Sequence, residues 1–304
     1  MDQDTAPDAK QPARLARLGS LPAALVTDLL AAAVSAPSIH GSQPWGYRVR
    51  RYSHTIELRA DPSQALPCGD PSGRSVHVAC GAALLNLRLA ASIAAREPVV
   101  KLLPDPKEPV LLATVRLAGP HRALPIEREL YAAITSRRAG PRPRGGRRAA
   151  DLPLAELVEA ARIEGAFLHV LGHDEAIRVL SVMRDFQVPG LDGPAPLRDL
   201  VPHQPNGGAS VDGAPRLAVL SAHLGDRANW LRAGQALQRV LLTATARGVD
   251  AGPLTEPLDT ADARLIRSPD SGDEQPQMIV RIGFVPQFPS HPPAPRRPAS
   301  EVFN

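Results

Sequence analysis

Aromatic residues make up only 3% of this 304-residue sequence, and cysteine is scarcer still, at two. Cys68 and Cys80 are too few for a disulfide framework and lack metal-site spacing. The nine histidines are scattered, and none pairs with another histidine, a cysteine or a carboxylate at ligand spacing, so metal catalysis drops out of the reading. No G-x-G-x-x-G follows a strand and no P-loop pattern occurs, which argues against nucleotide folds of those kinds. There is no G-x-S-x-G, neither cysteine has an electropositive context, and no paired carboxylates form a convincing constellation. A net charge of +4 gives no global field for nucleic acid or a membrane surface. The apolar runs are interrupted well short of a membrane span. Residues 1–20 are polar, with Asp2, Asp4 and Asp8, and lack the apolar stretch of a signal peptide. The expectation is a soluble cytoplasmic protein, with ample material for a buried core.

What is abundant is alanine, arginine and proline. Residues 1–19 read as a flexible arm. Ser20-Leu21-Pro22 reads as a helix start, with serine as the cap and proline in the first turn. Leu25, Val26, Leu29, Leu30, Ala33 and Val34 then recur at helical spacing up to Pro37. Residues 47–51 and 55–60 alternate apolar and polar side chains and predict a hairpin. Residues 76–95 predict a helix suited to close packing, and 110–117 a strand. A second unit echoes this order, with helices over 124–136, 153–164 and 174–184 and strands over 166–171, 216–222 and 277–284. Its clearest element is a helix over 226–247, capped by Asp226 and stopped by Gly248. Between them, residues 187–215 form a long Pro/Gly-rich loop, a length that is usually functional or disordered. The interleaving predicts an α+β chain of two halves, 20–122 and 123–304.

Two stretches carry possible chemistry. Ala36-Pro37-Ser38-Ile39-His40-Gly41-Ser42-Gln43-Pro44-Trp45 holds two prolines that forbid a helix, with small polar residues and a glycine that permit close approach. It reads either as a packed connection anchoring Trp45 or as a wall against something flat or charged. Residues 137–148 hold six arginines in twelve positions. They read as a solvated face or tether, or as an oxyanion site, since guanidinium forks match phosphate oxygens. The segment has no interleaved aromatics for base stacking, so a nucleic-acid contact is the weaker reading. With no protein group equipped for hard chemistry, an enzyme of this sequence would borrow it from a cofactor.

The stretch from Ala36 to Trp45 resembles the A-P-S-x-x-N-S-Q-P-W segment of the nitroreductase superfamily. Gly225–Leu237, Gln275-Pro276-Gln277 and Pro295-Arg296-Arg297-Pro298 resemble the actinobacterial Acg-type branch of that superfamily. Together these matches run from about residue 21 to the C-terminus. The resemblance implies a nitroreductase-like fold, a dimer fused into one chain, each half with a mainly antiparallel sheet flanked by helices. It implies one composite FMN site, because only the first half has the Pro37–Trp45 loop and only the second has Arg137-Arg138 and Arg296-Arg297. By this carry-over Arg137 and Arg296, with Arg138 and Arg297 beside them, grip the FMN phosphate. Pro37, Ser38, Ile39, Gly41 and Gln43 line the ring and ribityl chain. Pro253, Leu254 and Thr255 pass near the flavin N5 side, and loop 187–215 takes the place of a lid.

The implied activity is hydride transfer from NADH or NADPH to the flavin, then reduction of a nitroaromatic, quinone or enone. The implied partners are small molecules, with no membrane or nucleic acid, and the assembly is a monomeric pseudo-dimer or a homodimer. Three positions depart from the pattern. Gly41 replaces an asparagine, Ala139 a serine or threonine, and Pro141 a basic residue, for which the adjacent Arg142 can substitute. Each lost polar contact is worth about 1–3 kcal/mol where its partner stays buried. They motivate an alternative: a non-catalytic protein with a weakened or empty FMN site, acting in flavin binding or sequestration.

Overall fold

In a computed structural model of the chain, described over residues 20–38, 41–64, 70, 72–138, 151–184, 216–224, 226–254 and 272–283, two four-stranded sheets are built on the same plan. The first holds β1 (Trp45–Arg50), β2 (Thr55–Ala60), β3 (Arg96–Leu102) and β4 (Leu111–Pro120) in the order β1-β2-β4-β3. The second holds β5 (Phe167–Val170), β6 (Arg216–His223), β7 (Asp250–Leu254) and β8 (Glu274–Gly283) in the order β5-β6-β8-β7. Every neighbouring pair is antiparallel. Helix α1 (Ala23–Ala33) precedes the first sheet, and α2 (Arg74–Ile93) follows β2. Helices α3 (Pro125–Arg138) and α4 (Leu154–Ile163) precede the second sheet, α5 (His173–Arg184) is inserted after β5, and α6 (Arg227–Ala246) follows β6. This is the α+β arrangement of two halves, each with an antiparallel sheet flanked by helices, that the sequence leads one to expect.

Most elements fall where their periodicity puts them, with informative exceptions. Helix α1 is capped by Pro22, in an extended conformation and without a side-chain cap bond, so Ser20 does not cap it. Asp226 does cap α6, its carboxylate accepting from the Asn229 N–H at 2.9 Å, and Gly248 ends that helix with φ +70°. Strands β3 and β7 have no counterpart in the sequence reading. β3 contains Pro98 and β7 contains Gly252 and Pro253, residues that weaken a strand pattern. Both lie at sheet edges, where a missing N–H donor is tolerated. Helix α2 also corrects the reading of apolar runs: by length and hydropathy it could cross a membrane, but 83% of its apolar window is buried within the protein.

The halves meet where α2 crosses α6. Gly81 and Gly234 occupy the same position along the two helices, and each faces the other backbone. A Cβ on Gly81 would collide with the carbonyl oxygen of Leu231, and one on Gly234 with that of Val78. Leu231 packs into the core of the first half and Val78 into that of the second, an exchange that follows an internal two-fold relation. The crossing also holds buried polar groups. Gln238 Nε2 donates to Asn86 Oδ1 at 2.7 Å, and Asn86 Nδ2 to the Ala32 carbonyl at 2.9 Å. Residues of α2, α3 and α6, among them Leu85, Leu89, Leu130 and Leu242, form a further apolar cluster that fixes α3 against the crossing.

Candidate functional site

Helix α3 is amphipathic, and its buried Leu130, Ala133 and Ile134 hold it against α2 and α6. That packing carries its last turn, with Arg137, to the neighbourhood of Asp250 at the start of β7. Arg137 Nε is buried and has no hydrogen-bond partner. Burial pulls the guanidinium below its ordinary range, and the Asp250 carboxylate opposes this only in part. Asp250 is itself engaged by Arg281 on β8, a pair that crosses the β7–β8 ladder. Gly252, two residues along β7, leaves room that a side chain would take, with Arg281 Nη2 3.9 Å from where a Cβ would stand. Pro253 and Leu254 complete the strand, both half-buried. Among the described residues β7 pairs only with β8, at the edge of the sheet.

The Pro37–Trp45 loop is built in the first half. Gly41 N–H donates to the Ser38 carbonyl at 3.2 Å, closing a tight turn, and Gly41 has φ +69°. The Ser38 hydroxyl accepts from the Gln43 N–H at 3.0 Å. Gln43 is buried and also has a positive φ, +47°. The Pro44 carbonyl accepts from Asp61 N–H at 3.0 Å and from Cys80 Sγ at 3.4 Å, which pins the loop to α2. Trp45 is fully buried and belongs to the first core, so the loop is indeed a packed connection around a tryptophan. Burial raises the Cys80 thiol, which removes it as a nucleophile near neutral pH.

Helix α2 links the loop to the second half. Six residues before Cys80, the buried Arg74 donates to the Gln277 carbonyl on β8 at 2.6 Å, a contact between residues 203 apart in the chain. Gln277 has its side-chain Oε1 buried without a partner. Residues Arg74, Asp250 and Arg281 carry no local sequence signal. Only Gln277 lies in a motif that could have drawn attention to it. The structure thus brings Arg137 and β7 together, and places Pro37, Ser38, Gly41 and Gln43 on a loop tied to the same helix as Arg74. Arg138 ends α3. Ile39, Arg142, Thr255, Arg296 and Arg297, together with arm 1–19 and loop 187–215, lie outside the described residues.

A half-buried guanidinium whose Nε is buried and open is suited to an oxyanion, since a phosphate supplies the missing acceptor. The chain is 32% identical, over 91% of its length and 90% of the relative's, to a Mycobacterium tuberculosis protein named as an NAD(P)H nitroreductase. It is 28% identical to the NAD(P)H nitroreductase Acg of the same organism, over 92% of this chain and 96% of that one. No protein-family model matches the chain. On the strength of these relatives, the chain belongs to the nitroreductase superfamily, in its Acg-type branch.

Proposed function

We propose that the chain binds FMN at a single composite site and works as an oxidoreductase, using NADH or NADPH to reduce a small nitroaromatic, quinone or enone. The observation that carries this is the open, buried Nε of Arg137 beside the edge strand β7. A phosphate there would answer the one cation in that cluster that Asp250 only partly balances. When bound, the flavin supplies the hydride chemistry that no side chain of this protein offers. The protein's own work is holding and shaping. Arg137 grips the phosphate, with Arg138, Arg142, Arg296 and Arg297 as further basic contacts. Pro37, Ser38, Ile39, Gly41 and Gln43 wall the site from the first half. Pro253, Leu254 and Thr255 wall it from β7, where an edge strand leaves backbone groups free to bond a ligand. Guanidinium charge at the site stabilises negative charge that develops on the ligand.

The same reading divides the chain into halves at 20–122 and 123–304, with 187–215 as a lid and 1–19 as an arm. It places the protein in the cytoplasm, as a monomeric pseudo-dimer or a homodimer. Absorbance spectra of the purified protein with and without added FMN test it. The protein is expected to be yellow or to take up FMN, and Arg137→Gln to weaken uptake about 10-fold or more, the worth of one charge-assisted hydrogen bond. Colourless protein that takes up no FMN would sink the proposal.

Gly41 supports a second reading, a flavin-binding protein without catalytic turnover. Its left-handed conformation is one that asparagine also adopts, so the backbone would accept the family residue and only the amide side chain is missing. This reading expects FMN uptake without reduction by NADH or NADPH. Bleaching of the flavin on addition of either nicotinamide excludes it.

A further inference from the structure

We infer that a cleft between the end of α2 and the start of α3 binds a small phosphate monoester carrying an apolar or aromatic body. The cleft has a volume of about 540 Å³ and lies between the last turn of α2, the β4–α3 connection and the first turns of α3. Arg122 and Arg128 line it, both exposed, and neither has a carboxylate within ion-pair distance among the described residues. The nearby carboxylate that could have neutralised them is already engaged. Glu127 accepts from the Ser92 hydroxyl at 2.9 Å and from the Leu124 N–H at 2.7 Å, and faces His121 Nε2 at 2.9 Å. Helix α3 begins between Ala123 and Arg128, so its positive end adds to the field at the cleft. Tyr131 and the partly exposed Ile93 supply the apolar wall.

The internal repeat relates the end of α2 at the cleft to the end of α6 ahead of β7. Helices α2 and α6 have the same length, and each is followed at the same position by a left-handed residue, Ala95 with φ +57° and Gly248 with φ +70°. An edge strand follows each, β3 starting at Arg96 directly after Ala95 and β7 at Asp250, two residues after Gly248. Ser92, Ile93 and Ala95 therefore stand in the first half where Thr245, Ala246 and Gly248 stand in the second, next to the Arg137–Asp250 cluster. This inference stands whether or not the site at β7 holds a flavin.

Titration calorimetry of the full-length protein with AMP, with FMN present throughout to occupy the Arg137 site, tests it on wild type, on Arg122→Glu with Arg128→Glu, and on Arg137→Gln. AMP should bind wild type and Arg137→Gln alike, and bind the double variant about 10-fold more weakly or worse, since both phosphate contacts become repulsive. Raising the salt concentration should weaken binding, because both arginines are exposed to screening. The pair Arg122→Gln with Arg128→Gln serves if charge reversal disturbs folding. Binding that survives loss of both arginines, or that disappears with Arg137→Gln, overturns the proposal. So does a wild-type protein that takes up no AMP at millimolar concentration.

Discussion

Glu164 and Arg137 are both charged groups withdrawn from water, and their surroundings treat them oppositely. Glu164, just beyond α4, receives Arg88 of α2 at 2.6 Å and Arg239 of α6 at 2.6 Å. Burial pushes its carboxyl up, but the two guanidiniums outweigh that and hold it below the usual carboxylate range. Arg137 buries its Nε with no such answer. The first arrangement ties the halves together, whereas the second leaves a donor without an acceptor. Because the folded carboxyl of Glu164 is depressed, its contribution is present above the unfolded value of about 4.3 and is lost as pH falls through the folded one. Replacing Glu164 by Gln leaves two arginines facing an amide. We expect a loss of about 3 kcal/mol at neutral pH, the low end for breaking one side of a buried pair, since Arg88 is partly exposed. The loss should shrink in acid, where the native carboxyl is protonated as well. Urea unfolding of both proteins at neutral and acidic pH reads this directly, and an equal loss at both would refute it. The arginine run announced Arg137 in the sequence, but nothing local to Arg88, Glu164 or Arg239 announced their meeting.

Between elements, the decisive contact is backbone on backbone. Gly81 lies in the middle of a helix, where alanine would ordinarily gain about 1 kcal/mol. At the α2–α6 crossing the added methyl meets the Leu231 carbonyl, which cannot swing aside as a side-chain tip could. Gly81→Ala should therefore destabilise the protein by about 3 kcal/mol, the upper part of the usual overpacking range. A denaturation midpoint equal to or above that of wild type would show that the crossing is looser than described. The helices that make this crossing were legible from their periodicity and, for α6, from Asp226 and Gly248. The edge strands β3 and β7 were not. A strand paired on one side only can carry proline and glycine, so it sheds the alternation and residue types by which strands are recognised. That matters for function, because β7 is the strand against which Arg137 stands.

At the scale of the whole chain, the two halves share one interior. Val78 and Leu231 each pack into the opposite core, and Arg74 reaches across to the Gln277 carbonyl. Unfolding one half would expose the apolar face of the other, so both should unfold in a single transition. The two tryptophans make this testable, since Trp45 lies in the core of the first half and Trp230 packs against that of the second. Single-tryptophan proteins made by Trp45→Phe and Trp230→Phe should report the same unfolding midpoint relative to their own far-UV circular dichroism. Separated midpoints would mean that the halves are independent domains.

The order of the helices and of every strand but β3 and β7, the two-part plan and the family motif from Ala36 to Trp45 were determined by the sequence alone. Each depends on a local pattern: a period of apolar residues, a capping aspartate, or prolines that bar a helix. Only the tertiary structure decided that β3 and β7 become edge strands, that Gly81 and Gly234 meet, and that Arg137 comes to rest beside Asp250 with its Nε open. Those outcomes depend on segments far apart in the chain, and the burial of a guanidinium or the fit of two backbones exists only once both partners are in place.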